Sequence, residues 1–210
     1  MGFHELYIMK HIVITRVNFS NDDKFEKYFD VMKKIYIPSI NSQINKNFTL
    51  GLSVNEKHFP IIRKLIDDKI KIITFNNVKE EYKQFVIDNN FNLQTRHDCD
   101  DYMSPNYIEL IQNKSATNMK SMDDFIITFQ PTKYDYKTGQ EYYHERDYSK
   151  VCSMFSTLYQ KDIKNGIFDV PHDLLRRLTK NIFYIRETYV KLTIHDNNIH
   201  SKFNVKIPVK

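Results

Sequence analysis

Cysteine is scarce in this chain of 210 residues, and tryptophan is absent. The two cysteines, Cys99 and Cys152, exclude a disulfide framework, and no spacing typical of a structural zinc site is present. No stretch approaches the roughly 18 consecutive apolar residues of a membrane span, and no cationic segment followed by an apolar run opens the chain. We therefore expect a reduced, cytoplasmic protein without a transmembrane segment.

Net charge is also low, at +5, and the lysines are scattered instead of forming a block. This distribution disfavours a nucleic-acid partner but leaves a phosphate-bearing small molecule open. A hydrophobic share of 41% and the absence of repeats or Gly/Ser linkers indicate one compact domain over residues 1–210. We expect a monomer in which residues 1–115 bind the ligand and residues 116–210 form a second half.

Short β-branched runs alternate with helical patterns in the first half. Strands are predicted at 11–17, 48–54, 70–75 and 91–96, and helices at 24–43, divided at Pro38, 57–68 and 79–89. This alternation predicts an α/β fold with a mostly parallel sheet and helices on both faces. The second half predicts a smaller antiparallel subdomain, with strands at 125–129, up to Tyr159 and near 182–194, a turn at 137–140 and a helix at 171–180.

Three carboxylates lie within four residues directly after the predicted fourth strand, in Asp98-Cys99-Asp100-Asp101. Carboxylates this close repel one another, so a cation or several hydrogen-bond donors must offset their charge. Oxygen ligands favour magnesium or manganese, and parallel sheets bind ligands beyond the carboxyl ends of their strands. We expect a metal and phosphate site here; the alternatives are a solvated loop or a helix N-terminal cap. Ser104-Pro105 is expected to open the next helix, with Ser104 as its N-cap.

Residues 95–107 resemble the DxD segment of glycosyltransferases with the GT-A fold, especially the rhamnosyltransferase-like group. Three further stretches resemble landmarks of that group in the same order: Ile14-Thr15-Arg16-Val17-Asn18, Ser39-Ile40-Asn41-Ser42-Gln43 through Asn47-Phe48, and Leu192-Thr193-Ile194-His195-Asp196-Asn197-Asn198. The resemblance spans most of the chain and implies a Rossmann-like α/β/α sandwich with an acceptor-side subdomain. The chain also resembles a glycosyltransferase domain that a large algal virus encodes and that is linked to capsid-protein glycosylation, which would place it in the host cytoplasm.

The resemblance implies transfer of a sugar from a nucleoside diphosphate sugar of the UDP type to a glycan or glycoprotein acceptor, with Mn²⁺ or Mg²⁺ as cofactor. It implies that Asp100 is a metal ligand, that Asp98 joins the metal or contacts the ribose, and that Asp101 supports them. His195 is implied as a third metal ligand or a diphosphate contact. The alternative is a structural histidine that ends a strand.

Thr15, Arg16 and Arg96 are the nucleotide-binding candidates. The two arginines end neighbouring predicted strands, where a planar guanidinium could grip phosphate or base. Surface ion pairs are the alternative.

An inverting transferase needs a general base near the acceptor hydroxyl. Residues 170–178 resemble the acidic, leucine and arginine pattern of inverting members, which implies that Asp173 is the base. His172 stands where many relatives have an acid, so either residue could serve. The alternative for Asp173 is a helix cap.

Two other functions are open. A nucleotidyltransferase that makes nucleotide sugars would share the sheet and the metal site, but it predicts a glycine-rich loop after the first strand, and residues 18–23 contain no glycine. A non-catalytic module that binds carbohydrate, nucleotide or RNA through tyrosines and lysines predicts that Asp100→Ala leaves ligand affinity intact.

Overall fold

The computed structural model describes residues 9–17, 22–144, 148, 152–187 and 189–195. The strands are β1 His11–Arg16, β2 Thr49–Ser53, β3 Lys71–Phe75, β4 Leu93–Arg96, β5 Tyr102–Met103, β6 Asp124–Phe129, β7 Thr132–Asp135, β8 Glu141–Tyr143, β9 Thr157–Gln160, β10 Ile182–Ile185 and β11 Val190–Ile194. The α-helices are α1 Asp22–Val31, α2 Ile37–Asn41, α3 Phe59–Arg63, α4 Val78–Asp88 and α5 Tyr107–Asn118. A π-helical turn, Met32–Tyr36, joins α1 to α2, and a 3₁₀-helix covers His172–Arg177.

Seven strands form the large sheet in the order β10-β6-β9-β4-β1-β2-β3. The strands β4, β1, β2 and β3 are parallel to their neighbours in that run, and β6 is parallel to β10, whereas β9 is antiparallel to both β4 and β6. A small sheet has the order β5-β11-β7-β8. The predicted α/β architecture with a mostly parallel central sheet is confirmed.

The two halves of the chain share the large sheet, because β6, β9 and β10 come from the second half. In the small sheet β5 and β8 pair antiparallel with their neighbours, while β11 and β7 are parallel. The turn predicted between β7 and β8 is present, and Gly139 adopts a φ of 71° there, a conformation that glycine takes at no steric cost.

The helix predicted over 24–43 is divided by the π-helical turn instead of by a kink at Pro38. The backbone N–H of Ile37 donates to the carbonyl of Met32, five residues back. Proline has no N–H to donate, and its ring clashes with the carbonyl four residues before it. A wider turn directly before Pro38 relieves that clash.

Two other predicted helices are wrong in extent. The helix predicted at 57–68 is limited to α3, after which the N–H of Leu65 bonds the carbonyl of Ile62, only three residues back. The helix predicted at 171–180 is the short 3₁₀-helix.

The predicted N-cap of the helix after the acidic cluster is also wrong. Helix α5 begins at Tyr107 and its N-cap residue is Asn106. The Ser104 hydroxyl donates to Asn106 Oδ1 at 2.9 Å instead of capping the helix.

The core lies on both faces of β1, where Ile12, Val13 and Ile14 have no exposed surface. A Cβ on Gly51 of the neighbouring β2 would lie 2.8 Å from Ile14 Cδ1, so the absence of a side chain permits this close packing. None of the described helices combines the length and the apolar character needed to cross a membrane.

Candidate active site

The carboxyl ends of β1 and β4 lie side by side, because the two strands are parallel and Ile14 is the register partner of Arg96. The acidic segment follows β4 directly and turns on a hydrogen bond from the Asp101 N–H to the Asp98 carbonyl, at 3.3 Å. The chain then enters β5, which pairs with β11. This topology brings the end of β11 to the acidic turn.

Asp100 and His195 are in direct contact, although 95 positions separate them in the chain. Asp100 Oδ2 lies 3.0 Å from His195 Nε2, and the two residues are 9% and 8% exposed. The Tyr28 ring packs edge-on against the His195 ring with centroids 5.2 Å apart. The structure thus brings together two of the three predicted metal ligands; Asp196, Asn197 and Asn198 lie outside the described residues.

Asp101 anchors β11. Its Oδ1 accepts a hydrogen bond from the Thr193 backbone N–H at 2.8 Å. Burial, followed by the charges of Asp100 and Asp98, raises the pKa of Asp101 well above its usual value, whereas the hydrogen bond from Thr193 lowers it. Burial and the same aspartates also raise the pKa of the Cys99 thiol, which excludes a reactive thiolate there.

Arg16 and Arg96 lie together beside the acidic turn. Arg96 is 9% exposed, and its Nη2 lies 3.7 Å from Asp98 Oδ1, a long contact for an ion pair. Burial lowers the pKa of Arg96; Asp98 raises it and the charge of Arg16 lowers it again. Among the described residues, Arg96 Nε has no hydrogen-bond partner. Buried guanidinium groups are normally hydrogen-bonded, so this geometry suits an incoming anion.

Phe168 completes the arginine cluster and was not among the predicted site residues. The Cζ atoms of Arg16 and Arg96 lie 5.5 Å and 5.1 Å from its ring centroid. The only sequence signal was an aromatic residue in the polar segment between β9 and the 3₁₀-helix, which does not reveal a contact with either arginine.

Thr15 does not face the arginine pair. Its side chain has no exposed surface, and its hydroxyl lies 2.7 Å from the Tyr36 hydroxyl. Successive side chains of a strand point to opposite faces, so Arg16 points to the other side. A contact of Thr15 with a nucleotide would therefore be limited to its backbone.

His172 and Asp173 open the 3₁₀-helix, which starts four positions after Phe168, and both are half-buried. The predicted role of either residue as a general base stays a prediction. Their place in the chain ties them to the segment that carries Phe168 over the arginines.

Residues 10–206 match the model of a protein family described as "Putative rhamnosyl transferase". The chain belongs to this family. A comparison with curated protein sequences finds no match.

Solved structures similar to this rhamnosyl transferase family member include S. aureus TarS 1-349 in complex with UDP-GlcNAc, with a TM-score of 0.56 and 11% identity over 94% of this chain and 62% of that chain. The UDP complex of TarS 1-349 gives a TM-score of 0.52 and 12% identity over 89% of this chain and 61% of that one. A further S. aureus TarS structure gives a TM-score of 0.54 and 11% identity over 89% of this chain and 37% of that chain. This family member therefore spans about three fifths of TarS 1-349. At such identity the likeness shows a common fold, and it confirms the predicted GT-A-like architecture.

A divalent ion fits the site in part. Within the part of the chain that the structure describes, no three His, Cys, Asp or Glu side chains converge on one point. Asp98 is turned toward Arg96 and Asp101 toward Thr193, which leaves the adjacent Asp100 and His195. Mg²⁺ is usually held by one or two carboxylates together with waters and substrate phosphates. A pair of protein ligands therefore suits a metal whose remaining ligands come from water and from a bound phosphate group.

Proposed function

We propose that this chain transfers a sugar from a nucleoside diphosphate sugar of the UDP type to a hydroxyl group of a glycan or glycoprotein acceptor. One observation carries the proposal: an arginine pair and the Asp100–His195 pair meet at the carboxyl edge of a parallel sheet. Ligands of such sheets bind at this edge. The likeness in fold to TarS structures that hold UDP-GlcNAc and UDP supports a UDP-type donor.

The arginines are suited to the diphosphate of the donor. A guanidinium can donate two parallel hydrogen bonds to phosphate oxygens. The buried Nε–H of Arg96, which has no hydrogen-bond partner among the described residues, is able to donate one of them. As the bond between sugar and diphosphate breaks, negative charge grows on the leaving group. Fixed positive groups that are already in place stabilise this charge without reorganisation.

Asp100 and His195 would hold Mn²⁺ or Mg²⁺, with Asp98 joining them once the diphosphate takes its place beside Arg96. When bound, the ion neutralises charge on the departing nucleoside diphosphate. Asp101, through its hydrogen bond to the Thr193 N–H of β11, keeps His195 in reach of Asp100.

Inversion at the anomeric carbon is part of the proposal. The acceptor hydroxyl loses its proton as it attacks the sugar, and Asp173 or His172 accepts that proton. The resemblance to a viral domain extends the acceptor class to capsid glycoproteins.

Calorimetric titration of UDP, with Mn²⁺ and with chelator, tests the proposal. We expect Mn²⁺ to tighten UDP binding and Asp100→Ala to remove that gain, on the order of 100-fold as for other metal-site changes. Asp68→Ala is the control, since Asp68 is 96% exposed and pairs with Arg63. A wild type that binds neither UDP nor any common nucleoside diphosphate sugar would refute the proposal.

A second assay separates the alternatives. Release of UDP from a sugar donor is expected, whereas release of pyrophosphate from a nucleoside triphosphate would indicate a nucleotidyltransferase. If Asp100→Ala binds UDP as tightly as the wild type in Mn²⁺, the chain is a binding module.

A further inference from the structure

Phe168 has two guanidinium neighbours that come from different strands. Arg16 ends β1 and Arg96 ends β4, and their Cζ atoms lie 5.5 Å and 5.1 Å from the Phe168 ring centroid. A cation within about 6 Å of an aromatic centroid is attracted by the negative face of the ring. One ring therefore contacts both cations.

The two guanidinium groups repel each other, and little nearby charge offsets them. Asp98 is 3.7 Å from Arg96, and within the described ranges Arg16 forms no ion pair. Arg16 is exposed, and among the described residues the Phe168 ring is the aromatic group that its guanidinium contacts beside Arg96. The ring limits the freedom of two long side chains at the place where an anion is needed.

The segment that carries Phe168 is fixed to the sheet by Gln94. Gln94 has no exposed surface; its Oε1 accepts from the Ile167 N–H at 2.9 Å and its Nε2 donates to the Asn165 carbonyl at 3.1 Å. Asp169 pairs with Lys83 of α4 at 3.2 Å. The ring position is thus set by β4, the strand that also supplies Arg96.

We propose that Phe168 is a positioning residue of the donor site, whose ring holds Arg16 and Arg96 side by side to receive the diphosphate. The inference rests on the proposed function and adds to it the residue that preorganises the phosphate contact. Preorganisation raises affinity because the bound arrangement of the two arginines no longer has to be assembled on binding.

The test compares Phe168→Leu with Phe168→Tyr, which keeps an aromatic face, and with Phe183→Leu. Phe183 is a matched control, since its half-buried ring also lies 5.2 Å from a cation, Lys114 Nζ, on β10 at the far edge of the large sheet. Kd is measured by calorimetry for UDP, uridine and inorganic pyrophosphate, and urea unfolding confirms that each variant is folded.

For Phe168→Leu we expect about tenfold weaker binding of UDP and of pyrophosphate, equal to about 1.4 kcal/mol, with uridine binding unchanged. Phe168→Tyr should bind within about twofold of the wild type, and Phe183→Leu should not change any Kd. In an Arg16→Ala background the effect of Phe168→Leu should shrink, because the ring then holds one guanidinium in place of two.

Equal losses for UDP and uridine would overturn the inference, since they would mean that the ring stacks on the base. Unchanged binding of UDP and pyrophosphate by Phe168→Leu would also overturn it. A wild type that binds pyrophosphate in a Phe168-dependent manner but does not bind UDP would uphold the arginine positioning and refute the proposed donor.

Discussion

Removal of the Asp101 side chain is expected to destabilise the fold and to weaken the metal site together. Asp101 is 3% exposed, and its Oδ1 is the acceptor for the N–H of Thr193, which is 1% exposed. Asp101→Ala leaves that buried N–H without an acceptor, which costs about 1 to 3 kcal/mol. Asp101→Asn should stay within about 1 kcal/mol of the wild type, because the amide oxygen of asparagine can accept the same hydrogen bond from the Thr193 N–H.

Urea unfolding in chelator measures the free energy of unfolding, and calorimetry with Mn²⁺ and UDP measures the site. Thr193 is two residues before His195, so Asp101→Ala should also weaken Mn²⁺-dependent UDP binding, roughly 10- to 100-fold as for loss of a group that orients a metal ligand. Asp101→Asn should retain most of this binding. If the alanine variant is as stable as the wild type, or if asparagine is as damaging as alanine, the Thr193 hydrogen bond does not have the role given to it.

Three further predictions concern other parts of the molecule. Arg16→Ala should weaken UDP binding about tenfold and reduce its salt dependence, as measured by titration at low and high ionic strength, because one charged contact to phosphate is lost; an unchanged salt dependence would argue against a phosphate contact. If Asp173 is the general base, Asp173→Asn should lower kcat by about 10² to 10⁴-fold with little change in UDP affinity. If instead His172→Gln lowers kcat in this way and Asp173→Asn does not, the general base is His172. Burial lowers the pKa of His11 to about 3, so between pH 3 and pH 6.5 its ring is neutral in the folded protein and takes up a proton on unfolding. The free energy of unfolding should therefore fall by up to about 1.4 kcal/mol per pH unit as the pH drops from 6.5 toward 3. Urea unfolding across that range should show a weaker dependence of the free energy of unfolding on pH for His11→Gln than for the wild type. Part of the remaining pH dependence should come from the buried His97, whose pKa is lowered to about 4. An equal pH dependence in the two proteins would contradict the role given to His11.

The sequence predicted the strands of the large sheet more reliably than the helices. The runs of β1 and β2 are buried except at Arg16, and their apolar, β-branched residues identify them without knowledge of their neighbours. Strand β9 was predicted as part of a separate antiparallel subdomain, yet it lies between β4 and β6 in the large sheet. Strand order depends on contacts between distant residues, which local periodicity does not contain.

The candidate site shows the same division between local and distant information. The acidic cluster was found from its spacing alone, because close carboxylates need compensation wherever they occur, whereas the metal-ligand roles of Asp98 and Asp100 came from the resemblance to a family. His195 entered only through the resemblance to a family, since 95 residues separate it from Asp100. Phe168 had no distinguishing neighbour in the chain, and its relation to the arginines exists only once β1, β4 and the segment after β9 are assembled.

The pairing of β11 explains why the acidic turn and His195 meet. Strand β5 pairs with only Val190 and Lys191, and beyond them the Asp101 side chain continues that edge by accepting from Thr193. Side chains alternate along a strand, so a slip of β11 by one residue would turn His195 away from Asp100 and bring Ile194 in its place. The bond from Thr193 to Asp101 opposes that slip. The hydrogen bond of Asp101 to β11 thereby fixes which face of β11 is turned toward Asp100.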